Sequence, residues 1–300
     1  MKKRYIRFAG TILFLLVTVS VFSACGTGRN TLSVESAIER EAPLSETQES
    51  QSSIEADSKK EEPVGSVSEP ITVAIDEKEE EKEPVIVKTE TLMRYIQSDA
   101  DGLNVRKGPG TNYASLGSLD KGDLVSYVGE SGGFYKTYYR GREAYVSQKY
   151  AHIIEMQKTS AAVENVIGEG VKLLGTPYVY GAVRLHDGNG RMLSNFDVNK
   201  FDCSSLMQYV FYKGAKVLLQ VNTRTQVKQG SEVKRSELQR GDLLFFTNAS
   251  RKNKTGIERI GHVGLYLGDG YMLHTASDHA VIEKISSLRW SYYITGRRIV

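Results

Sequence analysis

The sequence predicts an α+β chain with two folded parts. A small β-barrel spans residues 91–155, and helices followed by paired strands span residues 158–300. Three observations carry this. From Thr91 to Ile154, short alternating apolar segments are broken by Gly102, Gly108, Gly110, Gly117, Gly122 and Gly141, the pattern of a compact barrel of short strands. Apolar residues recur at three- and four-residue spacing from Ala161 to Leu174 and again after Cys203, which marks helices with one buried side. Beyond Arg240, apolar runs separated by glycine turns read as strands.

Taken in order, residues 1–24 read as a secretory signal. Lys2, Lys3, Arg4 and Arg7 precede an apolar run from Ile12 to Phe22, which stops at Ser23-Ala24 directly before Cys25. An uncleaved anchor is the competing reading, but it needs about 20 apolar residues. The ending Phe22-Ser23-Ala24-Cys25-Gly26 resembles a bacterial lipobox, which implies that Cys25 is lipidated and becomes the mature N-terminus. Phenylalanine three residues before the cysteine departs from the more usual leucine. Either outcome leaves the protein outside the cytoplasm, at the cell surface.

Residues 25–90 read as a disordered acidic tether behind that cysteine. Residues 26–90 hold 17 acidic and 7 basic residues, a net charge of −10, and no aromatic residue, too little apolar surface to offset the entropy of ordering. A flexible chain of this length spans on the order of 45 Å. Residues 91–300 carry 28 basic and 19 acidic residues, a net charge of +9. That balance suits an anionic polymer such as a cell wall with its attached acids, and it serves solubility equally well. Nucleic acid fits the charge but not the export.

Within the β part, the readable strands are Leu92–Ile96, Leu103–Arg106, Leu124–Val128, Phe134–Tyr139 and Arg142–Val146, the last two joined by a two-residue Arg140-Gly141 turn. The run from Gly102 to Gly110, with Gly133-Phe134-Tyr135-Lys136 and Ala144-Tyr145-Val146, resembles the bacterial SH3-like domain. That resemblance implies binding of wall peptides or packing beside a catalytic domain. Tyr113, Tyr135, Tyr138 and Tyr139 either form a stacking surface or fill the barrel core.

The catalytic reading centres on Phe201-Asp202-Cys203-Ser204-Ser205-Leu206. Leu206, Met207, Val210 and Phe211 place Cys203 in the first turn of a helix. Helix N-termini favour anions and lower a thiol's pKa from its free value of about 8.5. A buried structural cysteine is the alternative. With Cys25 lipidated, Cys203 has no disulfide partner, and an unpaired thiol in an exported protein points to reactivity. No second cysteine lies at zinc-ligand spacing, so no metal is expected.

Further on, Leu243 to Phe246 reads as a strand and Thr247 to Ile260 as a basic loop. Gly261 to Thr275 reads as two strands about a glycine turn. If Gly268-Asp269-Gly270 is a three-residue loop, Gly264 faces His274, and His262 and His274 are diagonal neighbours on one face. A two-residue Asp269-Gly270 turn sets them on opposite faces. A thiolate can attack an amide carbonyl if an imidazole protonates the departing amine, help worth about a hundred- to ten-thousandfold. Cys203 supplies the nucleophile, His262 the base and acid, and His274 the group that orients the ring. Amide hydrogens near Cys203 are suited to an oxyanion.

Pro177-Tyr178-Val179-Tyr180-Gly181, Phe201 to Leu206, Arg224-Thr225-Gln226, Gly241 to Phe246, and Gly261 to Gly268 with His274 beyond resemble the NlpC/P60 family of cell-wall cysteine peptidases. The resemblance spans residues 160–300 in order. It implies a papain-like fold with helices packed on an antiparallel sheet, a Cys203, His262 and His274 triad, and Tyr178 lining the site. It implies that Asp202 and Ser204 recognise the free amino end of a stem peptide, with cleavage between D-glutamate and the diamino acid. A carboxylate beside the nucleophile suits an ammonium; Asp202 equally suits a helix N-cap. Two departures stand out: Ala182 where glycine is common, and a long insertion from Val183 to Lys200, expected to cover the groove.

The expected activity is hydrolysis of peptidoglycan stem peptides by a monomer that needs no cofactor and is tethered to the membrane through Cys25. An inert wall-binding lipoprotein, or an acyltransferase or amidase using the same thiol, are the alternatives.

Overall fold

The computed structural model describes residues 91–276 and 278–300. The expected signal (1–24), lipidated Cys25 and tether (25–90) lie outside the described residues.

The β part is built from β1 (Leu92–Ser98), β2 (Leu103–Arg106), β3 (Ser115–Leu119), β4 (Leu124–Ser126), β5 (Gly129–Ser131), β6 (Phe134–Tyr139), β7 (Arg142–Ser147) and β8 (Ala151–Gln157). Arg140 and Gly141 both have positive φ, 52° and 72°, the backbone of the tight hairpin expected between β6 and β7. The expected strand over 124–128 stops at Ser126, where β4 ends its pairing with β1, and β5, which pairs with β6, is a separate strand beyond it. β3 and β8 carry no clear alternation in sequence. β8 pairs with β1 along its whole length, from Leu92 opposite Gln157 to Ser98 opposite Ala151.

These strands belong to two sheets. β3-β2-β7-β6-β5 form one, and β8-β1-β4 continue into the sheet of the second part, with Ile282 opposite Leu124. Of the tyrosines considered for stacking, Tyr139 is buried in the core and Tyr113 is exposed.

The second part opens with α1 (Ala161–Val171), capped by the Ser160 hydroxyl, which accepts from the Val163 amide. The helix ends at Val171 rather than Leu174, and the chain turns at Gly175 with φ +79°. A Cβ there would meet the Tyr139 ring at 2.1 Å, so the fit between the two parts demands glycine at this turn. α2 (Cys203–Ala215) buries Leu206, Met207, Val210 and Phe211 as its periodicity requires, and packs against α1. α3 (Thr223–Gln226) follows.

The strands are β9 (Ser231–Val233), β10 (Leu243–Phe246), β11 (His262–Gly268), β12 (Tyr271–Ala276), β13 (His279–Lys284) and β14 (Tyr293–Arg298), with α4 (Ser287–Ser291) between the last two. All four residues of β10 are buried because its two faces meet two cores. Leu243 and Phe245 join the main core with α1 and α2, whereas Leu244 and Phe246 pack with Met272, Ile285 and Trp290.

Arg240 fastens the parts together. Its guanidinium donates to both oxygens of Glu164, to Tyr95 Oη and to the Leu267 carbonyl, each at 2.8 Å. Burial pushes the Glu164 carboxyl up, but hydrogen bonds from Arg240 and the Thr159 amide outweigh it and hold the carboxyl below its usual range. The β6–β7 turn adds a second clasp: Arg140 Nε donates to the Gly175 carbonyl at 2.8 Å, and the Arg140 and Gly141 amides donate to the Leu174 and Lys172 carbonyls just past α1.

Candidate active site

Cys203 opens α2. Asp202 is the N-cap in extended conformation, its Oδ1 accepting from the Ser205 amide at 2.7 Å while Ser205 Oγ accepts from the Asp202 amide at 2.9 Å. This reciprocal box fixes where the helix begins. Cys203 is therefore the first helical residue, where the amides and the helix dipole favour negative charge on sulfur. α2 packs against β11 and β12, the strands that carry the two histidines.

The β11–β12 hairpin departs from the expected loop. Asp269 and Gly270 form a two-residue turn with φ of 49° and 76°, and Gly268 pairs with Tyr271. Continued without interruption, that register would put the histidines on opposite faces. A bulge at Leu267 takes up one residue, so Leu265 pairs with Leu273 and the histidines return to a shared face. The physical reason is visible at the bulge: Leu267 is buried in the main core and its carbonyl is satisfied by Arg240.

His262 Nε2 and His274 Nδ1 lie 3.0 Å apart, and His274 Nε2 lies 3.1 Å from Glu283 Oε1. A carboxylate only accepts, so His274 donates from Nε2, accepts at Nδ1 from His262 Nε2–H, and leaves His262 Nδ1 as the basic nitrogen. Gly264, between the histidines, has no room for a side chain: a Cβ would stand 2.4 Å from Met272 Sδ and 3.1 Å from His274 Cβ.

Burial, then the Arg289 guanidinium and His274, push the His262 pKa well below its usual value. Burial and Arg289 lower His274 as well, with Glu283 partly opposing. Both rings are thus neutral at pH 7, the form a proton acceptor needs. Arg289 itself is buried on α4, 3.8 Å from Glu283 Oε1, with its positive charge felt by Cys203.

Tyr178 is half-buried in a segment that pairs in parallel with Phe201, two residues before Cys203. Its amide donates to the Asp278 carbonyl at 2.7 Å. Asp202 and Ser204, expected at a substrate ammonium, are both buried, and Arg184 reaches them from the start of the insertion. The rest of the insertion folds onto α2: Phe196 stacks on Tyr209, and Gln208 bonds to the backbone of His186.

Residues 175–299 match the NlpC/P60 family model, and residues 101–152 match the bacterial SH3 domain model. The fold is an SH3-like region followed by an NlpC/P60 domain. The peptidoglycan DL-endopeptidase CwlO of Bacillus licheniformis is 32% identical over 159 residues, covering 51% of this chain and 32% of its own. The gamma-D-glutamyl-L-lysine dipeptidyl-peptidase of Bacillus subtilis is 32% identical over 160 residues, covering 53% of this chain and 47% of its own. A crystal structure of an NlpC/P60 family protein from Bacillus cereus shares 21% identity with a TM-score of 0.37, over 69% of this chain and 63% of that one. The chain spans less than half the length of the two curated relatives.

Three polar residues of this NlpC/P60 domain escaped the sequence reading. Glu283 lies diagonally across from His274, since Met272 is its direct partner on β12. Only the β12–β13 register reveals it. Arg289 and Arg184 carried no signal, being one arginine among many in a basic chain.

Proposed function

We propose that the protein is a peptidoglycan endopeptidase that cleaves stem peptides between γ-D-glutamate and the diamino acid with Cys203 as nucleophile. The observation that carries this reading is the His262, His274 and Glu283 relay, with contacts of 3.0 and 3.1 Å, on strands packed against the helix that Cys203 opens. Relatives whose names state peptidoglycan DL-endopeptidase and gamma-D-glutamyl-L-lysine dipeptidyl-peptidase support the substrate class.

His262 Nδ1 takes the thiol proton, and the thiolate adds to the amide carbonyl. The first-turn amides of α2 are suited to hold the oxyanion. His262 then returns the proton to the departing amine, leaving a thioester on Cys203. Water, deprotonated by the same imidazole, attacks the thioester, and a carboxylate product leaves as the thiolate is restored. The imidazolium that forms in each half is stabilised by His274, which Glu283 in turn orients. Tyr178 forms the wall beside the nucleophile. No metal or organic cofactor enters any step.

The SH3-like region contributes wall binding, and its clasp on the turn at Gly175 steadies the segment that carries Tyr178. The enzyme works outside the cytoplasm as a monomer, held to the membrane by lipid on Cys25. Incubating the full chain with purified wall peptides, followed by mass spectrometry, tests the reading: new D-glutamyl termini appear, and Cys203→Ala abolishes them. Retention on the wall without products refutes it and leaves a binding protein, and modified ester or lipid products reassign the thiol to acyl transfer.

A further inference from the structure

The Asp202-Cys203-Ser204 run carries an arrangement that the thiol chemistry does not use. Arg184 lays its guanidinium across the run, with Nη2 2.9 Å from Asp202 Oδ2 and donating to Ser204 Oγ at 3.2 Å. Nη1 donates to the Ala182 carbonyl and Nε to the Val221 carbonyl, both at 2.7 Å. The remaining carboxylate oxygen of Asp202 accepts from the Ser204 hydroxyl at 2.9 Å and from the Ser205 amide at 2.7 Å. Both oxygens of the acid beside the nucleophile are therefore engaged. The Asp202 side chain is only 6% exposed, while that of Arg184 keeps 21%.

The charge this wall shows to solvent is thus a cation. An open carboxylate here would draw a substrate ammonium. With the guanidinium in place, an ammonium meets a like charge and has to displace four hydrogen-bonding partners to reach the acid. An amide-capped amino end carries no charge, and its carbonyl is an acceptor for an arginine N–H. Discrimination of this kind works by repelling the wrong ligand as much as by holding the right one.

We infer that Arg184 determines specificity by taking the ammonium's place at Asp202, so that the site selects stem peptides with an acylated amino end, as in peptides still joined to the glycan, over peptides with a free amino end. This rests on the peptidase reading above and reverses the preference implied by Asp202 and Ser204 alone.

The test uses the full chain and two synthetic stem peptides that differ only in N-acetylation. Expected at pH 7 is a kcat/KM about tenfold higher for the acetylated peptide, the size of one like-charge contact in a half-exposed site. The ratio falls toward one as pH rises through the α-amino pKa of about 8. Arg184→Met exposes Asp202 and reverses the preference. Because an unpaired buried carboxylate endangers the fold, the Arg184→Gln/Asp202→Asn pair provides a neutral counterpart in which the ratio approaches one. A purely structural role for Arg184 lowers turnover of both peptides together and leaves their ratio unchanged, which overturns the inference. A wild-type preference for the free amine overturns it too while leaving the peptidase standing. Turnover of neither peptide removes both.

Discussion

Replacing Glu283 with glutamine keeps the shape of the relay and removes its charge. In the native protein the carboxylate oxygen accepts from His274 Nε2–H at 3.1 Å. At this distance, with an effective dielectric of ~20, a full charge pair interacts by about 5 kcal/mol. In the proposed mechanism the imidazolium of the transition state resides on His262, one ring further away, and the Glu283 side chain is 29% exposed. Both facts reduce the interaction, leaving about 1–2 kcal/mol of transition-state stabilisation. That corresponds to a loss of roughly 5–30-fold in kcat/KM. A glutamine amide can also donate to His274, so part of the population adopts the wrong tautomer and the loss tends to the larger figure. The assay is steady-state cleavage of an acetylated stem peptide between pH 5 and 9, with thermal melting to establish that the variant is folded. Since Glu283 raises the proton affinity of His274, its removal must not shift the acid limb of the profile to higher pH. A folded Glu283→Gln variant within twofold of wild type at every pH refutes the relay as drawn.

Further outcomes follow from the same geometry. Gly264→Ala places a Cβ 3.1 Å from His274 Cβ and against Met272. Overpacking of about 1–3 kcal/mol and loss of most activity are expected, read by urea unfolding and peptide turnover. Arg240→Met strips the buried partners of Glu164, Tyr95 and Leu267, and is expected to cost about 3–5 kcal/mol in chemical denaturation, with part recovered by adding Glu164→Gln. Acid lability has a defined sign. The Glu164 carboxyl is held below 4.5 in the fold, so its contribution is complete above the unfolded value and disappears as pH falls through the lowered one. The fall in melting temperature below about pH 4.5 is therefore shallower in Glu164→Gln than in wild type.

Much of the molecule was legible in the chain because its signals are local. The hydrophobic spacing after Cys203, with Asp202 suited to an N-cap, set the start of α2 within single residues. The glycine breaks of residues 91–155 announced a small β unit, although β3, β5 and β8 stayed hidden for want of alternation. β8 is visible only once β1 stands beside it.

The histidine pair shows the boundary most plainly. Local turn chemistry favours the tight Asp269-Gly270 hairpin that forms, and by itself that turn would separate His262 from His274. The bulge at Leu267 reunites them, and it persists because Leu267 fills the core while Arg240, anchored to Glu164 and Tyr95 far away in sequence, satisfies its carbonyl. Glu283 joins the relay through pairing with a third strand, Arg289 approaches from a short helix beyond it, and Arg184 arrives from the insertion to neutralise Asp202. Sequence by itself determined the helices that begin at Ala161 and Cys203 and the strands β10 to β12, since periodicity and caps act over a few residues. Tertiary structure alone decided which charges meet around them, because electrostatic partners are chosen by distance in space and the chain records only distance along itself.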